Sequence, residues 1–418
     1  MTQLDLFRNQ EPGGRAASTE RRVAAWLDAP KPTDTLNIGN RKIPVHVGEF
    51  WTPKQRQAST LHEVSYRACF KPQLPDFFID RLTIEGDLVY DPFAGRGTTA
   101  VEAALHDRKV ITNDVNPLNR IFTEPRLEVP DLRSIYDRLR TIQIVSGIKA
   151  DLDLSMFFHP DTEAEIVSLR NYLIRRKAEA SEDEVDRWIR MVATNRLTGH
   201  SKGFFSVYTL PPNQAASAEN QTKINEKLDQ IPEYRDTRRL IYEKSRQLQS
   251  SLTETERANL RRAAKTALYL MSSAVETKEI TPSSVQLTVT SPPFLDVVQY
   301  ADDNWLRCWF NNLDANEISQ KITMCKKIED WAGVMGRVFG ELYRVTKRDG
   351  WVAFEVGEVR NGKVKLEEIV APLGVDAGFE CDAILINSQK FTKTANIWGV
   401  HNNRHGTNSN RIVLFSKV

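Results

Sequence analysis

Residues 88–99 of the chain read LVYDPFAGRGTT, an apolar run followed directly by a loop with two glycines. A second apolar run, 285–290, ends in the loop SPPF at 291–294. Short apolar runs that stop abruptly at Gly or Pro are typical of buried parallel strands, which deliver loops to one edge of a sheet. Ligands of open α/β sheets bind at that edge. The two loops therefore predict a cofactor pocket and a reaction pocket side by side.

Composition favours a folded globular protein. The 418 residues are 40% hydrophobic and 27% charged, and the net charge is only +2, so nucleic-acid binding would need a local basic face. No apolar run approaches the roughly 18 residues that span a bilayer, and residues 1–5 do not begin a secretory signal. The four cysteines are scattered, and His401 and His405 lack a third ligand nearby. We expect a cytoplasmic protein with reduced thiols, no membrane contact and no metal site.

The remaining pattern predicts alternating strands and helices around a long helical segment. Residues 129–264 are charged, have helical periodicity and contain two S/T-x-x-E capping boxes, at 181–184 and 253–256. Residues 1–45 are polar and irregular and form an expected N-terminal extension. The late apolar segments 381–386 and 411–415 are expected to pair as an antiparallel sheet edge. The other predicted elements are helices at 74–82, 98–105 and 331–345 and strands at 88–90, 109–112, 266–271, 285–290 and 351–356.

The Gly-rich loop has the chemistry of a nucleoside site. Gly95 and Gly97 permit positive φ and a close backbone approach, and the following helix N-terminus presents its amides to a ligand. Asp114 ends the next strand about twenty residues on, where a carboxylate can accept hydrogen bonds from ribose hydroxyls. Ala100 stands at the third glycine position of the G-x-G-x-x-G dinucleotide motif, which tolerates alanine. The glycines alone therefore do not exclude a dinucleotide cofactor. The Pro-Pro loop argues against it.

The SPPF loop has an edge rich in hydrogen-bond acceptors. Pro292 and Pro293 fix φ and remove two amide donors, which leaves the Ser291 hydroxyl and the Pro292 carbonyl as acceptors. Such acceptors suit an exocyclic NH2 group, which has two hydrogens to donate. Phe294 offers a flat face for stacking a base. Taken alone, the loop fits a structural turn after a core strand equally well.

Together the two loops resemble motifs of one family. Residues 91–99 resemble the D-P-F-x-G-x-G-T cofactor loop of the amino-group (N4-cytosine/N6-adenine) DNA methyltransferases, and 291–294 resemble their S/T-P-P-Y/F catalytic loop. The similarity covers about 46–128 and 265–418, with the cofactor motif preceding the catalytic motif. It implies an α/β fold, a Rossmann-like class I S-adenosylmethionine-dependent methyltransferase sheet. The mainly helical insertion at 129–264 becomes a candidate target-recognition domain.

The resemblance also implies roles for individual residues, with S-adenosyl-L-methionine as the cofactor. Lys71 and Pro72 lie in a segment similar to the one that holds the methionine end of the cofactor. Ser273 lies where the family usually has an acidic residue near the adenine. The implied catalytic residues are Ser291, Pro292, Pro293 and Phe294. The implied cofactor-binding residues are Lys71, Pro72, Asp91, Pro92, Phe93, Ala94, Gly95, Gly97, Thr98, Thr99, Asp114 and Ser273.

The implied reaction is site-specific methylation of double-stranded DNA at the N4 amine of cytosine, with the base flipped out of the duplex. Ser at the first loop position favours cytosine in this family, with N6-adenine methylation as the alternative. RNA base methylation and a non-catalytic nucleic-acid-binding protein are further alternatives. The enzyme would act with a cognate restriction endonuclease or as an orphan, in an oligomeric state that the sequence leaves open. The candidate DNA-contacting residues of the insertion are Arg175, Arg176, Lys177, Arg187 and Arg190.

Overall fold

The computed structural model describes residues 32–51, 58–67, 69–210, 215–293, 300–322, 325, 327–359, 364–388 and 409–418. Within these residues, nine strands form one mixed sheet and two short strands form a separate ladder. The strands are β1 (Asp34–Ile38), β2 (Arg41–Gly48), β3 (Leu88–Asp91), β4 (Lys109–Asn113), β5 (Leu268–Leu270), β6 (Val285–Thr290), β7 (Thr346–Val356), β8 (Glu358–Val359), β9 (Val364–Lys365), β10 (Glu380–Ser388) and β11 (Ser409–Ser416).

Helices cover both faces of the sheet. Val89 and Val110 belong to one buried apolar cluster, and their neighbours Tyr90 and Ile111 belong to a second. Successive residues of a strand point to opposite faces, so each face carries its own core. In the described part of the chain, no helix combines the length and apolar character needed to cross a bilayer. The helices are α1 (Gln73–Leu82), α2 (Thr98–Leu105), α3 (Leu118–Leu127), α4 (Leu132–Thr141), α5 (Pro160–Ala178), α6 (Glu184–Arg196), α7 (Ala218–Leu228), α8 (Thr237–Leu248), α9 (Glu254–Ala264), α10 (Tyr300–Phe310), α11 (Ala315–Lys321), α12 (Ile328–Val345) and α13 (Leu366–Asp376).

The sheet order places the two specialised loops next to each other. The order is β1-β2-β10-β11-β7-β6-β3-β4-β5, and β4, β5, β6 and β7 continue the parallel pairing that begins at β3. The chain moves from β3 outward to β4 and β5, and then returns to β6 on the other side of β3. Open α/β sheets bind ligands where the strand order reverses in this way. The predicted α/β fold class is confirmed.

The two late strands pair as predicted but do not form the edge. β10 and β11 are antiparallel, with Ile386 opposite Arg411. However, β11 also pairs with β7, and β10 pairs in parallel with β2 on its other side. The edge prediction is therefore wrong, because a hairpin from the N-terminal part of the chain continues the sheet.

That hairpin is β1–β2, which covers residues 34–48 and so includes the last 12 residues of the predicted extension 1–45. Gly39, at φ +55°, occupies the two-residue turn between the strands, a conformation that glycine adopts at little cost. Pro44 interrupts the apolar alternation of β2, which made the strand hard to recognise. Residues 34–45 therefore belong to the sheet, and the N-terminal extension stays a prediction for the residues before β1.

The segment between β4 and β5 folds as helices α3 to α9. Among its described residues, β pairing is limited to one isolated bridge between Gly199 and Tyr208. Trp188 and Ile189 of α6 belong to the same buried cluster as Phe78 of α1 and Val101 of α2. The helical insertion therefore shares a core with the sheet. Its assignment as a separate target-recognition domain at 129–264 stays a prediction.

One of the two predicted capping boxes forms. The hydroxyl of Thr253 accepts from the Glu256 amide at 3.2 Å, and Glu256 Oε2 accepts from the Thr253 amide at 2.7 Å. The box predicted at Ser181 is wrong, because Asp183 caps α6 in a box with Asp186. Ser181 instead donates its hydroxyl to the Arg176 carbonyl. Asp183 lies at the helix start, and a carboxylate there accepts hydrogen bonds from the unpaired amides of the first helical turn at least as well as serine does.

We expect Thr253→Ala to lower the free energy of unfolding by about 1 kcal/mol, since it removes the acceptor of an N-cap. Ser181→Ala, at the position that does not cap, should cost less than half of that. Urea unfolding of both variants followed by circular dichroism measures the difference. Equal losses would show that the hydroxyl of Thr253 does not act as a cap.

Candidate active site

A cleft that is partly open to solvent lies at the carboxyl ends of β3, β4, β5 and β6. Most of the predicted site residues line it. The predicted residues in its wall are Pro92, Phe93, Ala94, Gly95, Thr98, Asp114, Ser273, Ser291, Pro292 and Pro293. The residues that the sequence did not single out are Tyr66, Arg67, Cys69, Phe70, Val115, Asn116, Ser272, Ala274, Val275, Lys321, Ile322, Val334 and Val338.

Both glycines of the loop after β3 have positive φ, +51° at Gly95 and +75° at Gly97. Gly97 immediately precedes α2, and a Cβ there would lie 2.0 Å from Thr123 Oγ1. A Cβ at Gly95 would lie 3.5 Å from Cys69 Sγ, which is an ordinary contact. Gly97 is therefore required by packing as well as by conformation, whereas Gly95 is required by conformation alone. Thr98 at the helix start lines the cleft, and Gly97 does not.

Asp91 lies behind the cleft and joins β3 to β6. Its Oδ1 accepts from the Thr290 hydroxyl at 2.6 Å and from the Phe93 amide at 3.1 Å. Thr99 likewise donates to the Val289 carbonyl at 3.1 Å. Burial raises the pKa of Asp91 to about 7 despite these hydrogen bonds. Asp91 and Thr99 thus hold the two loops together, and neither lines the cleft itself.

Asp114 presents a carboxylate to the cleft. Its Oδ2 accepts from the Gly95 amide at 2.8 Å and its Oδ1 accepts from the Asn116 amide at 2.9 Å. Burial raises the pKa of Asp114 to about 6, and the two amide hydrogen bonds oppose that shift. Each carboxylate oxygen retains a lone pair beyond these contacts, so the side chain can still accept from a ligand hydroxyl.

Asn113, the last residue of β4, connects two of the loops that form the cleft. Its Nδ2 donates to the carbonyls of Ser272, at 2.9 Å, and Pro92, at 3.3 Å. Its Oδ1 accepts from the Ser272 amide at 2.9 Å. This buried side chain therefore binds the loop after β5 to the loop after β3. The result is that Ser273 lies at the cleft.

The Ser-Pro-Pro loop forms the other side of the cleft. Trp331 Nε1 on α12 donates to the Pro293 carbonyl at 3.0 Å, which fixes the loop from behind. The Ser291 side chain is close enough to the carboxylate of Glu355, at the end of β7, to lower the pKa of that carboxyl. Phe294 lies outside the described residues. Its predicted stacking role stays a prediction.

The segment before α1 contributes to the cleft, but not through the two residues predicted from the sequence. Lys71 and Pro72 do not line the cleft, and Pro72 instead precedes α1. Burial lowers the pKa of Lys71. Arg96, the residue between the two loop glycines, donates to the carbonyls of Val64 at 2.7 Å and Phe70 at 3.4 Å. The loop thereby positions a segment whose residues Tyr66, Arg67, Cys69 and Phe70 form part of the wall.

Several of the basic residues predicted to contact DNA are held in ion pairs with carboxylates of the insertion or, for Arg187, of Glu128 just before it. Arg176 Nε donates to the buried Asp186 at 2.7 Å. Arg187 pairs with Glu128, and the buried Arg190 pairs with Glu182. Helical charges of mixed sign are commonly structural. DNA contact by this insertion stays a prediction, and these three side chains are already engaged by protein carboxylates.

Comparison with known families identifies part of the chain. Residues 16–118, about a quarter of the 418 residues, match the model of the N6/N4 methyltransferase family, described as DNA methylase. This region contains the Gly-rich loop and Asp114 and ends before the Ser-Pro-Pro loop. The predicted resemblance to the amino-group DNA methyltransferases is confirmed. The matched family implies S-adenosyl-L-methionine as the cofactor.

Two curated proteins are similar over short stretches. The orphan methyltransferase M.BamHII of Bacillus amyloliquefaciens is 41% identical over 66 residues, which are 15% of this chain and 25% of that protein. The type II methyltransferase M.MjaII of Methanocaldococcus jannaschii is 34% identical over 70 residues, 17% of this chain and 13% of that protein. The matches thus span a quarter or less of the length of these relatives.

The solved structures that align with the chain are distant. A SAM-dependent methyltransferase from Methanosarcina mazei aligns with a TM-score of 0.33 and 10% identity, over 82% of this chain and 97% of that chain. The rRNA methyltransferase aviRa from Streptomyces viridochromogenes aligns with a TM-score of 0.33 and 11% identity, over 85% and 90%. These values are too low for the likeness to bear on function.

Proposed function

We propose that this protein is a DNA methyltransferase that transfers a methyl group from S-adenosyl-L-methionine to the exocyclic N4 amine of cytosine in duplex DNA. The observation that carries the proposal is one cleft lined by both the Gly-rich loop and Ser291 to Pro293. A methyl donor and an amine must meet at one point for direct transfer, and positioning supplies much of the rate.

The cleft wall has the donor and acceptor set that this cofactor needs. Asp114 offers a carboxylate to ribose hydroxyls, and the N-terminus of α2 at Thr98 offers backbone amides to an anionic group. Phe93 and Ala274 supply apolar surface, beside the hydroxyl of Ser273. When bound, the cofactor supplies a methyl group activated by a positive sulfur. The residues present therefore fit the group that the family implies.

The Ser-Pro-Pro loop supplies the acceptors for the amine. The exocyclic nitrogen is a poor nucleophile while its lone pair is delocalised into the ring. Hydrogen bonds accepted by the Ser291 hydroxyl and the Pro292 carbonyl favour a pyramidal nitrogen whose lone pair can attack. Acceptors that are already in place lower the barrier because they need not reorganise during the reaction. The hydrogen bond from Trp331 to the Pro293 carbonyl supports this arrangement.

The choice of base rests on Ser291. Serine at the first position of the loop favours N4-cytosine in the resembled family, and N6-adenine is the alternative. Both bases must leave the helix to reach a cleft of this kind, and proteins that act on bases pay a few kcal/mol for the extrusion. One of the two similar proteins is described as an orphan methyltransferase and the other as a type II methyltransferase. The proposed activity could therefore belong to an orphan enzyme or to a type II restriction-modification system. A cognate restriction endonuclease belongs to the type II setting.

The direct test is nucleoside analysis. The protein is incubated with methyl-labelled cofactor and either unmethylated plasmid DNA or total RNA, and the nucleic acid is then digested and separated by mass spectrometry. We expect label in N4-methylcytosine from DNA. Label only in N6-methyladenine would overturn the cytosine assignment, and label only in RNA would overturn the DNA assignment. Binding of DNA without transfer would favour a non-catalytic protein.

Asp114→Asn should weaken cofactor binding. The carboxylate is expected to form a charge-assisted hydrogen bond to the ribose, worth about 1.5–3 kcal/mol, so the Kd for S-adenosyl-L-methionine should rise about 10- to 100-fold. In the wild type, affinity should also fall as the pH drops through about 6, because protonation removes an acceptor. The variant should lose that dependence. Isothermal titration calorimetry at several pH values measures both effects.

Ser291→Ala provides the control for Asp114→Asn, since it alters the same cleft on its reaction side. Its Kd for the cofactor should stay within about twofold of the wild-type value, a difference below 0.5 kcal/mol. Equal losses of cofactor affinity in the two variants would contradict the separate roles of Asp114 and Ser291.

A further inference from the structure

Glu355 lies beside Ser291 because of the register of two parallel strands. Thr290 at the end of β6 is paired with Phe354 of β7, so the next residues on each strand, Ser291 and Glu355, are neighbours at the carboxyl edge. At this position the Ser291 side chain lowers the pKa of the Glu355 carboxyl. From the other side, Asn410 Nδ2 on β11 donates to Glu355 Oε1 at 2.8 Å. A carboxylate is thus held between a neutral amide and the hydroxyl of the proposed reaction site.

The environment of Glu355 is unusual for a structural carboxylate. Its exposed fraction is 8%, and among the described residues the side chains that interact with its carboxylate are the neutral ones of Ser291 and Asn410. Burial raises the pKa of Glu355, and the interactions with Ser291 and Asn410 oppose that shift. By contrast, the buried Glu367 nearby pairs with Arg411. A buried carboxylate without a cationic partner costs free energy, and such groups concentrate at functional sites.

We propose that Glu355 is a positioning residue for methyl transfer, which orients the Ser291 hydroxyl toward the incoming amine and receives the hydroxyl proton as the methylated amine is neutralised. This inference rests on the proposed function. With its hydrogen donated to Glu355, the Ser291 oxygen directs its lone pairs away from the carboxylate. An amine that enters the cleft can donate a hydrogen to that oxygen.

The proton transfer balances without any further reactant. In the transfer, the bond between nitrogen and the methyl carbon forms as the bond between sulfur and that carbon breaks, so the nitrogen gains the positive charge that sulfur loses. The nitrogen then gives one proton to Ser291 Oγ, while the original hydroxyl proton moves to a carboxylate oxygen of Glu355. The hydroxyl is regenerated, and the neutral carboxyl group of Glu355 later releases its proton to solvent.

Other ionisable groups lie on the elements packed against Glu355. Asp91 on β3 bonds to Thr290, one residue before Ser291, and has a pKa of about 7. Arg411 on β11 is paired with Glu367 on α13. Asp114, with its pKa of about 6, affects cofactor binding, and saturating cofactor therefore removes its contribution from kcat. Asp91 remains in every Glu355 variant, so a change in the pH profile of those variants reports on Glu355.

The first experiment compares Glu355→Gln, Glu355→Asp and the control Glu367→Gln, with kcat of DNA methylation measured against pH at saturating cofactor. Wild-type kcat should fall as the pH drops through the pKa of Glu355, because the protonated carboxyl cannot receive a proton. Glu355→Gln should lower kcat about 10- to 100-fold and lose this acid limb, while KM for the cofactor changes little. Glu355→Asp should recover part of kcat and the limb. Glu367→Gln should keep the limb.

A wild-type acid limb that persists unchanged in Glu355→Gln would overturn the inference, as would wild-type kcat in that variant. A second measurement does not need turnover. Carbon-13 NMR of the Glu355 carboxyl follows its titration in the wild type and in Ser291→Ala. Loss of the hydroxyl should raise the pKa of Glu355, and an unchanged pKa would overturn the contact even if the protein failed to methylate DNA. Absence of methylation by the wild type would overturn only the proposed function.

Discussion

Ser291→Ala is expected to reduce kcat for DNA methylation by about 10²- to 10³-fold, the effect of removing one pre-placed group that stabilises a transition state. The hydroxyl lies at the cleft and is oriented by Glu355, so its loss removes both an acceptor for the amine and the first step of the proton path. The Pro292 carbonyl remains, which leaves residual activity. Single-turnover transfer of labelled methyl groups at saturating cofactor measures the loss without interference from product release.

Ser273→Ala is the matched control for Ser291→Ala, since it removes a hydroxyl from the other wall of the same cleft. We expect it to raise the Kd for the cofactor by a few fold and to leave single-turnover transfer at saturation nearly unchanged. If Ser291→Ala lost cofactor affinity and kept its single-turnover rate, Ser291 would belong to the cofactor site. The acceptor role of the loop would then be wrong.

Local patterns predicted the elements that are defined by local forces. Helix α2 and strand β6 have the predicted bounds, 98–105 and 285–290, because an apolar run followed by Gly or Pro marks the strand end without help from the rest of the chain. The sequence around each of the two loops therefore predicts its position at the end of a strand without the order of the sheet.

Features that depend on register or on distant partners were not predictable. Glu355 lies in an apolar strand, and its contact with Ser291 exists only because β6 and β7 pair in one register. Arg96 lies between two glycines, at a position for which the motif specifies no residue type. Its guanidinium nevertheless donates hydrogen bonds to the carbonyls of Val64 and Phe70. The motif predicts Lys71 as a cofactor-binding residue, but Arg67, four residues earlier, lines the cleft and Lys71 does not. Side-chain direction at a helix start cannot be read from motif position alone.

Buried charge separates structural from functional residues in this fold. Arg190 and Asp186 are buried, and each has an oppositely charged partner within the helical insertion. Asp91 and Glu355 are buried and Asp114 is partly buried at the carboxyl edge, where hydroxyl and amide groups are the partners seen among the described residues. Desolvation raises the pKa of all three. Carboxylates whose pKa is raised in this way can exchange protons or accept ligand hydrogens, whereas paired ions cannot do so without breaking a pair.

Gly97→Ala is expected to destabilise the protein by about 2–4 kcal/mol. About 1–2 kcal/mol comes from placing a Cβ at φ +75°, and the remainder comes from overpacking against Thr123, whose Oγ1 would lie 2.0 Å from the new carbon. This loss is a large fraction of the free energy of unfolding of an ordinary folded protein, about 5–15 kcal/mol. Chemical denaturation without cofactor, followed by tryptophan fluorescence, measures it.

Gly95→Ala separates the two causes, since Gly95 also has positive φ but a Cβ there meets Cys69 Sγ at an ordinary 3.5 Å. That variant should lose only the conformational part, about 1–2 kcal/mol. In the Gly97→Ala background, Thr123→Ala should recover part of the overpacking loss, because it removes the two atoms nearest the new Cβ and leaves the Thr123 Cβ at 2.9 Å. Equal losses in Gly95→Ala and Gly97→Ala, with no recovery from Thr123→Ala, would show that the turn alone requires glycine and that the packing of α2 on α3 does not.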